Sequence, residues 1–151
     1  MKVSTSFQEY SVDDIVNAAR KSEERGYDIF FSSETGHNPY LPLVLAAEHT
    51  EEIELQTSIA LSFSRSPMDT AYIAWDLQNL SKGRFTLGLG SQVRGHIVRR
   101  FSMPWSAPVP RMREYVMALK HIWDCWQNGT KLNFAGDYYS FNLMSPFFNP
   151  G

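Results

Sequence analysis

Two periodicities alternate along this chain. Short runs rich in Ile, Leu, Phe and Thr are followed by longer stretches in which apolar residues return at helical spacing, the mark of a helix lying on a core. Ile53 to Gln92 shows the whole cycle. Glu54 to Leu61 is short and apolar, as a strand covered by helices should be. Ser66 is placed to cap a helix whose first position is Pro67, Asp69 sets a negative charge at the positive end of the helix dipole, and Gly83 stands where a left-handed cap ends the helix. Arg84 to Leu89 then resumes the strand pattern. Two strands joined by a helix of this length form a parallel pair with a right-handed crossover, so the pattern predicts a parallel sheet.

The same cycle runs through the first half of the chain. Lys2 to Phe7 reads as a strand, and Ser11 with Asp13 and Asp14 starts a helix through Arg25 that Gly26 terminates. Tyr27 to Ser32 is a second strand, Ser33 to Asn38 a polar loop, and Pro39 to about His49 a second helix. Strands thus begin at Lys2, Tyr27, Glu54 and Arg84, a structural period of roughly 25 to 30 residues. After Gly90 the sequence SQVRGHIVRRFSMPWSAPVP reads as a long loop. A helix then starts near Pro110, with Met112, Tyr115, Val116, Leu119, Ile122, Trp123 and Trp126 in one apolar stripe, and Gly129 stops it. Lys131 to Phe134 and Tyr138 to Phe141 flank Ala-Gly-Asp as a hairpin, and LMSPFFNPG follows with no closing element.

Four βα units and a hairpin make an α/β chain that corresponds to half of an eight-stranded βα barrel, a fold of about 250 residues when complete. A Rossmann-like open sheet would suit the length, but no G-x-G-x-x-G turn follows the first strand. The expectation is that residues 1–151 form the N-terminal half of a single (β/α)8 TIM-barrel domain, with its outer strands as open edges.

Composition narrows the partners. With 43% hydrophobic and 14% aromatic residues the chain can bury one substantial core. A net charge of -2, with dispersed basic residues, gives no reason to expect nucleic acid or an anionic membrane. The single cysteine, Cys125, cannot form an internal disulfide, and no long apolar run suggests membrane insertion, so a cytoplasmic location is expected.

In a βα barrel the chemistry lies at the C-terminal ends of the strands, which selects Thr5 to Gln8, Ser32 to Tyr40, Ser58 to Ser66 and Gly88 to His96. His37 precedes the Asn-Pro start of a helix at that edge, where it can act as an acid or base or simply be solvated. Ser32, Ser33 and Glu34 can serve chemistry or satisfy loop amides. Gly88 and Gly90 allow close approach of a flat ligand or a tight barrel bend. Arg94, His96, Arg99 and Arg100 form the one local basic excess, open to an anionic group or to solvent. His49, His121 and Cys125 read as structural. No metal-ligand spacing, nucleophile elbow or phosphate loop occurs.

The stretches ETGHNPYLPLVLAAEHTEEIELQTSIA, RSPMDTAYIAWDLQNLSKGRFTLGLGSQV and RRFSMPWSAPVPRMREYVMALKHIWDCWQNG resemble the luciferase-like flavin- and deazaflavin-dependent oxidoreductases, most closely the coenzyme F420-dependent group. The run Ser81 to Gly90 is the most specific piece. The resemblance implies a hydride-transferring oxidoreductase, with the flat cofactor ring held at the barrel mouth against the third and fourth strands. It implies a cis peptide at Ser58-Ile59, with Ser58, Ile59, Ala60, Gly88 and Gly90 at the cofactor. His37 or Glu34 is then the catalytic acid or base, and Ser91, Gln92 and Tyr40 border a small-molecule substrate. Sugar-phosphate dehydrogenases of the group carry a glutamate where Ser91-Gln92 stands, so the substrate is open. Two rival readings are an FMN-dependent monooxygenase of the same superfamily and a non-catalytic flavin-binding or dimerisation module. The third predicted helix is apolar on two sides, Met68, Ala71, Tyr72 and Trp75 on one and Ile73, Leu77 and Leu80 on the other, which suits a homodimer.

Overall fold

The computed structural model describes all 151 residues, Met1–Gly151. They fall into two compact units, Met1–Leu61 with Ile73–Gly90, and Ser62–Tyr72 with Ser91–Gly151.

The first unit carries β1 (Ser4–Thr5), α1 (Val12–Glu24), β2 (Ile29–Ser32), α2 (Leu41–His49), β3 (Glu54–Thr57), β4 (Ala60–Leu61), β5 (Phe85–Thr86) and β6 (Leu89–Gly90). Strands β1, β2, β3 and β5 form one parallel sheet in that order, and β4 pairs with β6, also in parallel. Helix α3 (Pro67–Leu80) spans the division between the units. Its predicted cap is present, the Ser66 Oγ accepting from the Met68 amide at 3.2 Å. Ser11 Oγ likewise accepts from the Asp14 amide at 3.1 Å to start α1, and Gly26 and Gly83 take the left-handed conformation after α1 and α3, with φ of 75° and 88°.

Alternation along the strands sets the core. Phe30 with Ser32, and Leu55 with Thr57, point to the buried face, while Ile29, Phe31, Glu54 and Gln56 are half-buried on the other. Phe30, Leu55 and Leu43 are fully buried, each contributing about 1.5–3 kcal/mol. The N-terminal ends of the strands are fastened by two charged groups. Arg84 donates to the carbonyls of Ser81, Ile53, Ala47 and Thr50 and to the Thr50 hydroxyl, at 2.9–3.1 Å. The Glu23 carboxylate accepts from the amides of Glu51, Glu52 and Ile53 at 2.7–2.9 Å. Burial raises the Glu23 pKa, but those three amides and the charge of Arg84 outweigh it and hold the group below its ordinary value.

The second unit contains α4 (Arg94–Arg99), α5 (Pro108–Asn128), the antiparallel hairpin β7 (Phe134–Ala135) and β8 (Ser140–Phe141), and a 3-10 turn at Pro146–Phe148. Tyr115, Leu119, Ile122 and Trp126 of the predicted stripe are buried, whereas Val116 lies at its exposed margin. Tyr115 and Thr70 share a hydroxyl hydrogen bond of 2.5 Å. Arg111, 6% exposed, lies 4.3 Å from the Phe63 ring centre and donates to the Tyr139 hydroxyl and the Pro104 carbonyl, both at 2.8 Å. Burial raises the Tyr139 pKa against the opposing pull of Arg111. The turn amides of the hairpin are gathered by Glu114 of α5, whose carboxylate accepts from Asp137, Tyr138 and Tyr139 at 2.6–2.9 Å.

The structure corrects several predicted boundaries. Helix α2 starts at Leu41, because Pro39 is packed ahead of the Tyr40 N-cap. The third predicted strand divides into β3 and β4 around Ser58-Ile59, and the fourth into β5 and β6 around Leu87-Gly88. The predicted long loop contains α4, anchored by the fully buried Ile97, and α5 starts at Pro108. The C-terminal segment is closed by its 3-10 turn, where the Phe148 carbonyl accepts from the Tyr72 hydroxyl at 2.6 Å. No helix is long and apolar enough to cross a membrane.

Candidate functional site

At the C-terminal ends of β2 and β3 the chain builds a small shelf from backbone. The Ser58 amide donates to the Ser32 carbonyl at 2.8 Å and the Glu34 amide to the Ile59 carbonyl at 3.2 Å. Ser33 Oγ donates to the Ser58 carbonyl at 2.7 Å, and the Glu34 carboxylate accepts from the Leu61 amide at 2.7 Å. On the other side the Ala60 amide donates to the Gly88 carbonyl at 2.8 Å, and the Thr57 hydroxyl donates to that carbonyl and accepts from the Gly88 amide, at 2.8 and 2.9 Å. The Ser58-Ile59 peptide is cis. Residues 58–61 are thereby held from both neighbouring strands, with Ser58 and Ile59 exposed.

The two glycines of the fourth strand have local causes. A side chain at Gly88 would overlap the Thr57 carbonyl oxygen, and a Cβ at Gly90 would come within 2.6 Å of Ile59 Cδ1. Gly90 therefore makes room for Ile59, whose 38% exposure leaves an apolar surface on top of the shelf. Ser58, Ile59, Ala60, Gly88, Gly90 and Glu34 form one connected group. Glu34 enters it as a partner of the Leu61 amide.

His37 belongs to a neighbouring feature. Its imidazole stacks on the Tyr10 ring, with centroids 3.9 Å apart and planes 13° from parallel. Tyr10 meets Phe7 edge-on at 6.0 Å, Phe7 lies 6.2 Å from the fully buried Phe30, and the Tyr10 hydroxyl donates to the Asn38 carbonyl at 3.2 Å. The stack forms one wall of a pocket of about 330 Å³, completed by Ser6, Phe7, Gln8, Ser33 and Thr35. Tyr10 and Ser6 carry no motif. The sequence signal for them was their position at the end of the first strand, and the segment Thr5 to Gln8 stops two residues short of Tyr10.

The remaining candidates lie elsewhere. Tyr40 is 3% exposed at the start of α2. Ser91 and Gln92 belong to the second unit, where Gln92 takes a φ of 58° and its side-chain oxygen accepts from the Val93 amide at 2.9 Å. In the same unit His96, Arg99 and Arg100 line a shallow depression of about 450 Å³, and the Arg100 guanidinium lies 4.9 Å from the Phe101 ring centre. His49 and His121 each bond a carbonyl one turn back in their own helix, at 2.9 Å, and Cys125 is buried. No group of three His, Cys, Asp or Glu side chains is placed to hold a metal ion.

Comparison with known proteins follows the same lines. The family model described as luciferase-like monooxygenase matches residues 2–151. The uncharacterised protein Rv1360 of Mycobacterium tuberculosis is 54% identical over 134 residues, covering 89% of this chain and 39% of its own length. Rv3520c of the same organism, designated a coenzyme F420-dependent oxidoreductase, is 29% identical over 123 residues, covering 81% of this chain and 35% of its own length. The oxygenating constituent of 3,6-diketocamphane monooxygenase from Pseudomonas putida, solved with FMN, superimposes with a TM-score of 0.80 at 18% identity, over 96% of this chain and 45% of that one. The fold is thus the N-terminal portion of a luciferase-like TIM barrel, and the chain spans about two fifths of the length of the curated relatives it matches.

Proposed function

The chain belongs to the luciferase-like monooxygenase family, and on that premise we propose that residues 1–151 are the N-terminal half of one barrel domain which, when complete, transfers a hydride between a small organic substrate and coenzyme F420. The observation that carries this reading is the shelf, where an exposed Ile59 and the backbone of residues 58–60 present an uncharged surface at the C-terminal edge of the sheet. That surface fits a flat ring. Rv3520c supports F420 as the ring.

When bound, the deazaflavin supplies a two-electron acceptor and donor of hydride. The chain supplies position and a proton. Ile59, held over Gly90, and the backbone of Ser58 and Ala60 support the ring, while Gly88 locks the shelf to the fourth strand through Thr57. Glu34 is a positioning residue that fixes the Leu61 amide. His37, at a pocket wall beside these elements, takes the proton from a substrate hydroxyl or returns it. Tyr40, expected at the substrate, is buried at the start of α2. The anionic tail of the cofactor needs basic partners that the shelf lacks. We also propose a homodimer, supported by the exposed apolar residues Leu41, Val44 and Leu80.

Fluorescence titration of the complete protein with F420 and with FMN tests the assignment. The expected result is micromolar or tighter binding of F420, weaker binding of FMN, and little binding of either by residues 1–151 alone. Tight FMN binding with no response to F420 would establish the monooxygenase reading instead. Cofactor binding with no turnover on any alcohol, aldehyde or imine would favour a non-catalytic module.

A further inference from the structure

Where β3 gives way to β4 the pairing with the next strand changes step. Leu55 pairs with Phe85 and Gln56 with Thr86, but beyond the break Ala60 pairs with Leu89 and Leu61 with Gly90. Three residues, Thr57 to Ile59, therefore stand opposite two, Leu87 and Gly88. An extra residue in one strand leaves backbone groups without their regular partners. On the side of β2 there is no such break: the pairing runs to Ser32 with Thr57, and the Ser58 amide continues it to the Ser32 carbonyl at 2.8 Å.

The residue left without a regular partner is Gly88. Had the earlier register continued, its amide would have donated to the Thr57 carbonyl, as parallel pairing requires. Instead the Thr57 hydroxyl accepts from that amide at 2.9 Å and donates to the Gly88 carbonyl at 2.8 Å. One side chain thus makes both bonds of a missing rung. The same carbonyl accepts from the Ala60 amide at 2.8 Å, so the substitute rung sits directly against the residue where regular pairing resumes. Burial alone does not call for this arrangement. Ser32, the register partner of Thr57 and 1% exposed, makes no side-chain hydrogen bond, whereas the Thr57 hydroxyl, equally buried, makes two.

We propose that Thr57 is the positioning residue of the shelf: its hydroxyl sets the spacing between Gly88–Gly90 and residues 58–60, and so fixes Ile59 in the seat that Gly90 leaves open. Its importance for a ligand rests on the reading above, in which the shelf supports a cofactor ring. Its effect on the shelf does not, and can be measured with no ligand present.

The test uses the complete protein. Hydrogen exchange of the Gly88 amide and the methyl resonances of Ile59 report the shelf, and titration with F420 and FMN reports its fit to a ring. A side chain that mattered only for stability would make shelf and affinity follow stability. Thr57→Ser keeps the hydroxyl and loses a packed methyl, so it should be less stable than wild type yet retain Gly88 protection, the Ile59 resonances and the cofactor Kd within about twofold. Thr57→Val keeps the packing and loses both bonds. It should lower Gly88 protection at least about tenfold, displace the Ile59 methyls and weaken the cofactor about tenfold, and Thr57→Ala should repeat those losses. Ser22→Ala removes another buried hydroxyl of the same unit, one that donates to the Ala18 carbonyl at 2.5 Å, and should leave the shelf and the affinity unchanged. Wild-type Gly88 protection and Ile59 resonances in Thr57→Val, or a Thr57→Ser variant as impaired as Thr57→Val, would overturn the proposal. Displaced Ile59 methyls with unchanged affinity, or no binding of either cofactor by the wild type, would uphold Thr57 as the positioning residue of the shelf and overturn the oxidoreductase reading instead.

Discussion

The two ends of the four-stranded parallel sheet solve opposite problems. At the N-terminal end charged side chains are turned inward upon the chain itself: Arg84 satisfies the carbonyls that close α2 and lead into β3, and Glu23 satisfies three consecutive amides before the same strand. At the C-terminal end the stitching is done by backbone and by short polar side chains between residues 32–34 and 58–61, so Ile59, Ser58 and His37 remain exposed. The same strands thus end in a closed network on one side and a presented surface on the other. A charge at the first end is a matter of stability, whereas a small residue at the second end shapes a surface.

Substitutions should separate the two ends. The largest effect is expected from Arg84→Ala, which strips donors from the carbonyls of Ala47, Thr50 and Ile53 and should destabilise the chain by about 3 kcal/mol or more in urea unfolding. Ligand-site resonances of the folded fraction should not move. Gly90→Ala should reverse that profile. Its Cβ meets Ile59, so stability falls by about 1–2 kcal/mol, while F420 affinity of the complete protein drops by roughly tenfold as the shelf is displaced. If Gly90→Ala leaves affinity untouched, the shelf is not where the ring lies.

The smallest effect is the acid dependence of Glu23. Its folded-state pKa lies below the ordinary 4.5, so its contribution is fully present above that value and fades as pH falls through the lowered one. The stability difference between wild type and Glu23→Gln should therefore shrink as pH is lowered from about 6 to about 3. A gap that widens on acidification would contradict the hydrogen-bond assignment.

Much of this fold was legible in the sequence because its grammar is local. Ser11, Gly26, Ser66, Gly83 and Gly129 mark helix ends by their own conformational preferences, and each stands where it was read. The breaks inside β3–β4 and β5–β6 were harder to read. Their apolar pattern is continuous, and only the approach of Thr57 to Gly88 and of Ile59 to Gly90 shows why the ladder changes partner. Helix α4 was hidden because a single buried residue, Ile97, anchors it. The site divides similarly. The shelf residues lay in a motif, but the Tyr10–His37 stack joins residues from two loops, and the role of Glu34 depends on an amide in another strand. Such pairings are properties of three-dimensional proximity and leave no trace in spacing.

Glu114 makes the hairpin of the second unit depend on α5. A two-stranded ribbon this short has little reason to persist alone, and its turn amides are gathered by one carboxylate carried by α5. A Cβ at Gly136 would come within 2.3 Å of that carboxylate, so a side chain there would push Glu114 off the turn amides. The dependence is therefore written into the contact: the ribbon keeps its turn only where the helix supplies that carboxylate.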